Sequence, residues 1–100
     1  MSWFIVFHPD VLKEDLLRLD LSAKKQILKS IEKKLPIDPE GYGEPLRKEL
    51  FGFWKLKVGA YRVIYRIEKD KVIVYIVKIG SRKDSQVYED MLKRAKKLLK

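Results

Sequence analysis

The residues of this chain best suited to chemistry are basic, and four of them fall in one short stretch. Residues 53–66 read FWKLKVGAYRVIYR and carry Lys55, Lys57, Arg62 and Arg66. If the Gly59-Ala60 break is a tight turn that pairs Val58 with Tyr61, then Lys57 opposes Arg62, Lys55 opposes Ile64 and Phe53 opposes Arg66. One face of that hairpin presents the four cations among Phe53 and Ile64. The other carries Trp54, Leu56, Val58, Tyr61, Val63, Tyr65 and Ile67. A one-residue slip would mix the two sets, so the hydrophobic pattern specifies this register. Like charges directly opposite one another destabilise a strand pair. Two readings meet that cost: a plain solvated face, or a face on which an anion sits. More cations lie close in sequence or in the expected fold. Arg47 precedes the first strand of the hairpin, Arg82 and Lys83 follow the last strand, and Tyr88 stands one turn into the final helix.

Convergent lysine and arginine side chains suit a phosphodiester. In RNA the ribose 2′-hydroxyl can attack its own phosphate, and no metal is required. The protein must then supply a base for the hydroxyl, cations for the growing negative charge and an acid for the 5′-oxygen. Arginine fits the second role. Lysine is a poor base at its ordinary pKa of about 10.4, but crowding by other cations lowers it. Tyr88 could stack on a base or take part in proton transfer.

Other chemistries are narrowed by what the chain lacks. It has no cysteine, and His8 is its only histidine. Disulfides, thiolate catalysis, Cys- or His-cluster metal sites and paired histidines are therefore ruled out. No metal or cofactor is expected, and His8, at the end of the first strand, reads as structural. The net charge of +9 and pI near 9.8 bear on partners: nucleic acid first, an acidic protein second, an anionic membrane surface a distant third. The longest apolar run, Val72 to Val77, is too short to span a bilayer. The N-terminus meets Pro9 and Asp10 too early for a signal peptide, so a cytoplasmic protein is expected.

These side chains need a scaffold to position them. At 100 residues the chain reads as one domain, 1–100. Residues 2–7 read as a strand. Pro9 and Asp10 suit a first helical turn, and Val11, Leu12, Leu16 and Leu19 carry a helical stripe to about Asp20. Ser22 is the expected N-cap of a second helix with Ala23, Ile27, Leu28, Ile31 and Leu35 inward, ended by Pro36. Residues 36–45 read as a loop, followed by a brief helical turn at LRKELFG. Strands are expected at 53–58, 61–68 and 71–79, with Gly80 closing the last. The fourth strand is apolar in both parities and should be central and covered on both faces. Residues 85–99 form a final amphipathic helix with Val87, Met91, Leu92, Ala95, Leu98 and Leu99 inward. The fold class is α+β, in the order β-α-α-β-β-β-α. An antiparallel-rich sheet carries an N-terminal helical hairpin on one face, and the C-terminal helix partly shields the basic floor.

The stretches FHPDVLKEDLLRL, PLRKELFGFWKLKVGAYRVIYRI and VYIVKIGSRKDSQVY together resemble the RelE branch of the RelE/ParE toxins of type II toxin–antitoxin modules, over nearly the whole chain. The resemblance implies a small α+β toxin that is held inactive by a cognate antitoxin. It also implies metal-independent cleavage of mRNA in the ribosomal A site by 2′-hydroxyl attack. Arg47, Lys55, Lys57, Arg62, Arg82 and Tyr88 have the residue types that ribosome-dependent members use. The resemblance gives Arg62 transition-state stabilisation. It makes a lysine or Tyr88 the base, and Arg82 the acid or a phosphate clamp. Arg66 and Lys83 join Arg47 as expected phosphate contacts. Ser81 and Asp84 depart from the basic or amide residues common there, and an acidic Asp84 would weaken phosphate binding. Two other readings stay open: a ParE-like toxin that inhibits DNA gyrase without cutting RNA, and a non-catalytic RNA-binding module.

Overall fold

In the computed structural model, which describes residues 2–84 and 86–98, five strands form one mixed sheet in the order β1-β5-β4-β3-β2. The strands are β1 (Phe4–Phe7), β2 (Glu44–Pro45), β3 (Phe53–Val58), β4 (Tyr61–Glu68) and β5 (Ile73–Ser81). β1 runs parallel to β5, and the remaining neighbours are antiparallel. The β3–β4 hairpin has the register its residue pattern requires, including Val58 opposite Tyr61, Lys57 opposite Arg62 and Phe53 opposite Arg66. Gly59 supplies the positive φ of +56° at its turn, which a side chain would resist.

β5 starts and ends two residues later than expected. Residues 69–72 form the connecting turn, with Val72 at φ +55°, a region β-branched residues rarely occupy. The Val72 carbonyl accepts from Phe4 N–H at 2.9 Å, which starts the β1–β5 pairing and holds the turn. The strand also runs through Gly80 instead of ending there. Its register against β4 shifts between Ile64 (opposite Lys78) and Tyr65 (opposite Ile76), so Val77 is the extra residue of a bulge.

The first helical segment departs from the α-helix expected over residues 9–20. It is a π turn, Val11–Asp15, that runs into a 3₁₀ turn, Leu16–Arg18. The Leu16 N–H reaches back five residues to the Val11 carbonyl, so Val11, Asp15 and Leu16 all point inward while Leu12 stays exposed. Helix α1 (Leu21–Lys34) follows. Its N-cap is Asp20, not Ser22: the Asp20 carboxylate accepts from Ala23 N–H at 2.7 Å. The stretch 36–45, expected as a loop, contains a one-turn helix α2 (Pro39–Tyr42) and β2. The buried Tyr65 hydroxyl donates to the Pro39 carbonyl at 2.6 Å and fastens this segment to the sheet. Burial, with help from Asp38 and Glu40, pushes that hydroxyl's pKa well above its usual range, so it remains a donor. Lys48–Leu50 forms the expected brief turn. Helix α3 spans Val87–Leu98; Ser85 and Leu99 fall outside the described residues, as does the side chain of Leu98.

The sheet separates two cores. On one face α1 and the π turn pack Val11, Leu16, Ile27, Ile31 and Leu35 against Leu56, Val58, Val63, Tyr65, Val74, Ile76 and Ile79. On the other, α3 packs Val87, Met91 and Ala95 against Phe53, Ile64 and Val77. β5 is covered from both sides, as its unbroken apolar run predicts. No described helix is long and apolar enough to cross a membrane.

One buried ionic cluster ties these layers together, and the hydrophobic pattern gives no hint of it. The Asp15 carboxylate, fully buried, accepts from Arg94 Nη1 at 2.7 Å and Nη2 at 2.9 Å, from Lys78 Nζ at 3.1 Å and from Ile79 N–H at 2.9 Å. Burial alone would raise its pKa. The Arg94 hydrogen bonds, the Ile79 amide and the two positive charges outweigh that and hold it below the ordinary value. Lys78 also reaches Asp90, and Arg94 reaches Glu14 and the Val77 carbonyl. Among the described residues, no buried side-chain nitrogen or oxygen lacks a partner.

A depressed carboxylate contributes stability above its ordinary pKa of 3.8 and loses it as pH falls through the lower folded value. Asp15→Asn should therefore cost about 3–5 kcal/mol at neutral pH by leaving Arg94 and Lys78 underpaired. It should also flatten the acid limb of stability. Denaturant titrations of both proteins at a series of pH values check this; parallel pH curves would refute it.

Candidate functional site

β3, β4, the end of β5 and the first turn of α3 converge on one patch of the second face. Arg62 is its centre. Its Nη1 donates to the Tyr88 hydroxyl at 2.6 Å and its Nη2 to the Arg82 carbonyl at 2.5 Å. The guanidinium carbon also lies 5.3 Å from the centre of the Tyr88 ring. Arg62, Arg82 and Lys83 line one open cleft of ≈ 620 Å³ with Ala60 and Ser81. Lys57 is directly opposite Arg62 across the hairpin, and Lys55 lies two residues along the same strand face.

Close approach of α3 makes this geometry possible. Arg62 pairs with Gly80 on β5. A Cβ at Gly80 would lie 2.7 Å from Val87 Cγ2, too close for any side chain. The glycine's role is thus to admit the first turn of α3, which carries Tyr88, onto the strand.

The eight candidate residues divide. Arg62, Arg82, Lys83 and Tyr88 are brought together, with Lys55 and Lys57 beside them. Arg66 shares the face but stands beyond Ile64, about 13 Å of strand from Arg62. It is ion-paired with Glu68 at 3.1 Å and lines a separate apolar cavity with Phe53, Tyr75 and Ala95. Arg47 is exposed on the turn between β2 and β3. Asp84 is engaged locally, its carboxylate accepting from Gln86 N–H at 2.9 Å at the approach to α3. His8 is buried away from the patch, with Nδ1 accepting from Asp10 N–H and its ring edge-on to Tyr75.

Sequence reasoning missed Glu44. Pairing of β2 with β3 sets Glu44 opposite Lys55, and its carboxylate lies 3.7 Å from Lys55 Nζ and 3.5 Å from Lys57 Nζ. A carboxylate thus stands between two lysines that, by sequence, were crowded only by other cations. The signal available was weak: Glu44-Pro45 flanks the hairpin, but nothing local announces a two-residue edge strand. Gly43 is part of the arrangement, since a Cβ there would overlap the Tyr65 hydroxyl. Among the described residues, no group of three or more metal-ligating His, Asp or Glu side chains converges.

A family model described as ParE toxin of type II toxin–antitoxin system, parDE, matches residues 5–86. The mRNA interferase toxin RelE of Escherichia coli is 29% identical over 96 residues, covering 94% of this chain and 98% of that protein. Among solved structures, the Mycobacterium tuberculosis toxin–antitoxin complex RelBE2 superposes with a TM-score of 0.77. It is 27% identical and covers 82% of this chain and 100% of its own. A mutant of the Escherichia coli toxin RelE in the free state superposes with a TM-score of 0.75 at 28% identity, covering 94% and 98%.

The Gly80 contact gives a direct test of the site's geometry. Gly80→Ala should displace Val87 and pull Tyr88 away from Arg62 while leaving the β3–β4 hairpin in place. Loss of nuclear Overhauser contacts between the Tyr88 ring and the Arg62 side chain, with Trp54–Tyr65 cross-strand contacts retained, is the expected result. Unchanged Tyr88–Arg62 contacts would mean that the close approach does not set the site.

Proposed function

We propose that this chain, which belongs to the ParE toxin family of type II toxin–antitoxin systems and is a RelE-type toxin, is a metal-independent endoribonuclease that cuts ribosome-bound mRNA. The observation that carries the reading is the Arg62 cluster. Arg62, Arg82 and Lys83 line an open cleft of ≈ 620 Å³, Tyr88 bonds Arg62 at its side, and Lys57 faces Arg62 across the hairpin. Arg62, held by Tyr88 and the Arg82 carbonyl, is oriented before substrate arrives. A scissile phosphate in the cleft would take its remaining N–H donors, which strengthen as charge builds on the oxygens. Arg82 and Lys83 hold the flanking backbone, and we assign Arg82 the protonation or neutralisation of the leaving 5′-oxygen.

The reaction also needs a proton acceptor. A lysine or a tyrosine must first lose its own proton at an ordinary pKa near 10. Glu44 is a carboxylate within 4 Å of both Lys55 and Lys57. We assign it the 2′-hydroxyl proton, with the lysines orienting the carboxylate and the ribose. Tyr88 then positions Arg62 and stacks on a base. Cleavage would leave a 2′,3′-cyclic phosphate and a free 5′-hydroxyl. The partner that holds the toxin inactive is a cognate antitoxin, and acidic surface on that protein would complement the net charge of +9.

The matched family model bears the name of toxins of the parDE type, which favours one other reading, a gyrase-binding toxin without nuclease activity. In vitro translation with primer-extension mapping separates the two. Discrete cuts within codons that disappear with Arg62→Ala, by at least about 10²-fold, are expected. Intact mRNA together with inhibited gyrase supercoiling would overturn the nuclease reading.

Glu44→Gln discriminates the base. Loss of about 10²-fold or more in single-turnover rate at neutral pH is expected if Glu44 accepts the proton. A rate equal to or above wild type would mean it only neutralises the lysines. Lys57→Ala should reduce the salt dependence of RNA binding by about one phosphate contact; an unchanged slope would place Lys57 off the backbone.

A further inference from the structure

We propose that Arg94 is a positioning residue for the nuclease site, setting where Tyr88 meets Arg62 although it touches neither. This rests on the function proposed above for that site. The apolar face of α3 is a stripe of Val87, Met91 and Ala95, spaced by four. Such contacts attract without direction, and a helix seated only on them can roll or slide. Two points must be fixed to define its line. The notch at Gly80 fixes the first by receiving Val87. Arg94, seven residues and about 10 Å further along the helix, fixes the second.

The Arg94 guanidinium is buried and makes a two-pronged contact with Asp15, and it donates to the Val77 carbonyl at 3.0 Å and to Glu14 at 3.0 Å. Each of these partners belongs to the sheet or to the π turn. A planar fork with so many fixed acceptors admits one orientation. Asp90, one helical turn before Arg94, adds a contact to the buried Lys78 at 3.1 Å. Tyr88 lies between the two fixed points and bonds Arg62 at 2.6 Å. A small roll of α3 would break that bond before it emptied the apolar core.

The test uses the full-length chain with isotope-labelled tyrosine. In Arg94→Met, folded by its cross-strand contacts, the Tyr88–Arg62 nuclear Overhauser contacts should be lost. The single-turnover cleavage rate should fall to the level of Tyr88→Phe. The double variant Arg94→Met/Tyr88→Phe should be no slower than Tyr88→Phe alone. Arg94→Lys, which keeps the charge and loses the fork, should recover only part of the contact. Retained Tyr88–Arg62 contacts in folded Arg94→Met, or an additive loss in the double variant, would overturn the proposal. Should Arg94→Met not fold, Arg94→Lys and Asp90→Asn carry the same readouts. Should wild type leave RNA intact, the nuclease reading fails, while the spectroscopic arm still decides whether Arg94 places Tyr88.

Discussion

A single buried carboxylate constrains most of this structure. Asp15 gathers a strand amide, a strand lysine and a helix arginine around two oxygens. A carboxylate in that position would be costly alone, and so would Lys78 or Arg94. Together they are satisfied, but only if the π turn, β5 and α3 occupy their observed places. The π turn contributes to the same arrangement. Its five-residue reach, Leu16 N–H to the Val11 carbonyl, turns Leu16 inward together with Val11 and Asp15. The last helix is thereby docked by direction as well as by hydrophobic area.

The basic patch solves a different electrostatic problem. Lys57 and Arg62 face each other across a strand pair, a placement that costs stability in isolation. Two devices offset it. Glu44, brought in by the short edge strand, lies within 4 Å of both lysines, and Arg62 is turned toward a hydroxyl and a carbonyl. The patch therefore keeps its cations while leaving Arg82 and Lys83 open to an anion. Tyr65 and Gly43 serve the same end from behind, since they seat the segment that delivers Glu44.

Much of this was legible in the sequence, and the reasons differ by element. The β3–β4 hairpin could be read to the residue because alternation over two strands and a glycine turn allow one register. The burial of β5 followed from an apolar run too short for anything else. The meeting of Arg62 with Tyr88 followed from the resemblance to a family and from no local pattern. What could not be read depended on distant partners. Asp15 looks like any charge on an amphipathic helix until Arg94, far along the chain, is placed beside it. Glu44 looks like a loop residue until β3 offers its edge. Gly80 looks like a strand end, because its neighbour Val87 belongs to another element. Arg66 shares a strand face with Arg62, yet pairing with Glu68 and the intervening buried Ile64 set it apart.

The proposed cleavage requires that the attacking group be the RNA's own 2′-hydroxyl, gripped at the Arg62 cleft. The most direct measurement is cleavage of a ribosome-bound mRNA carrying one 2′-deoxynucleotide at the mapped cut site. That position should remain intact while an all-ribose control is cut to products ending in a cyclic phosphate. Cutting of the deoxy-substituted position at the control rate would contradict the mechanism at its centre.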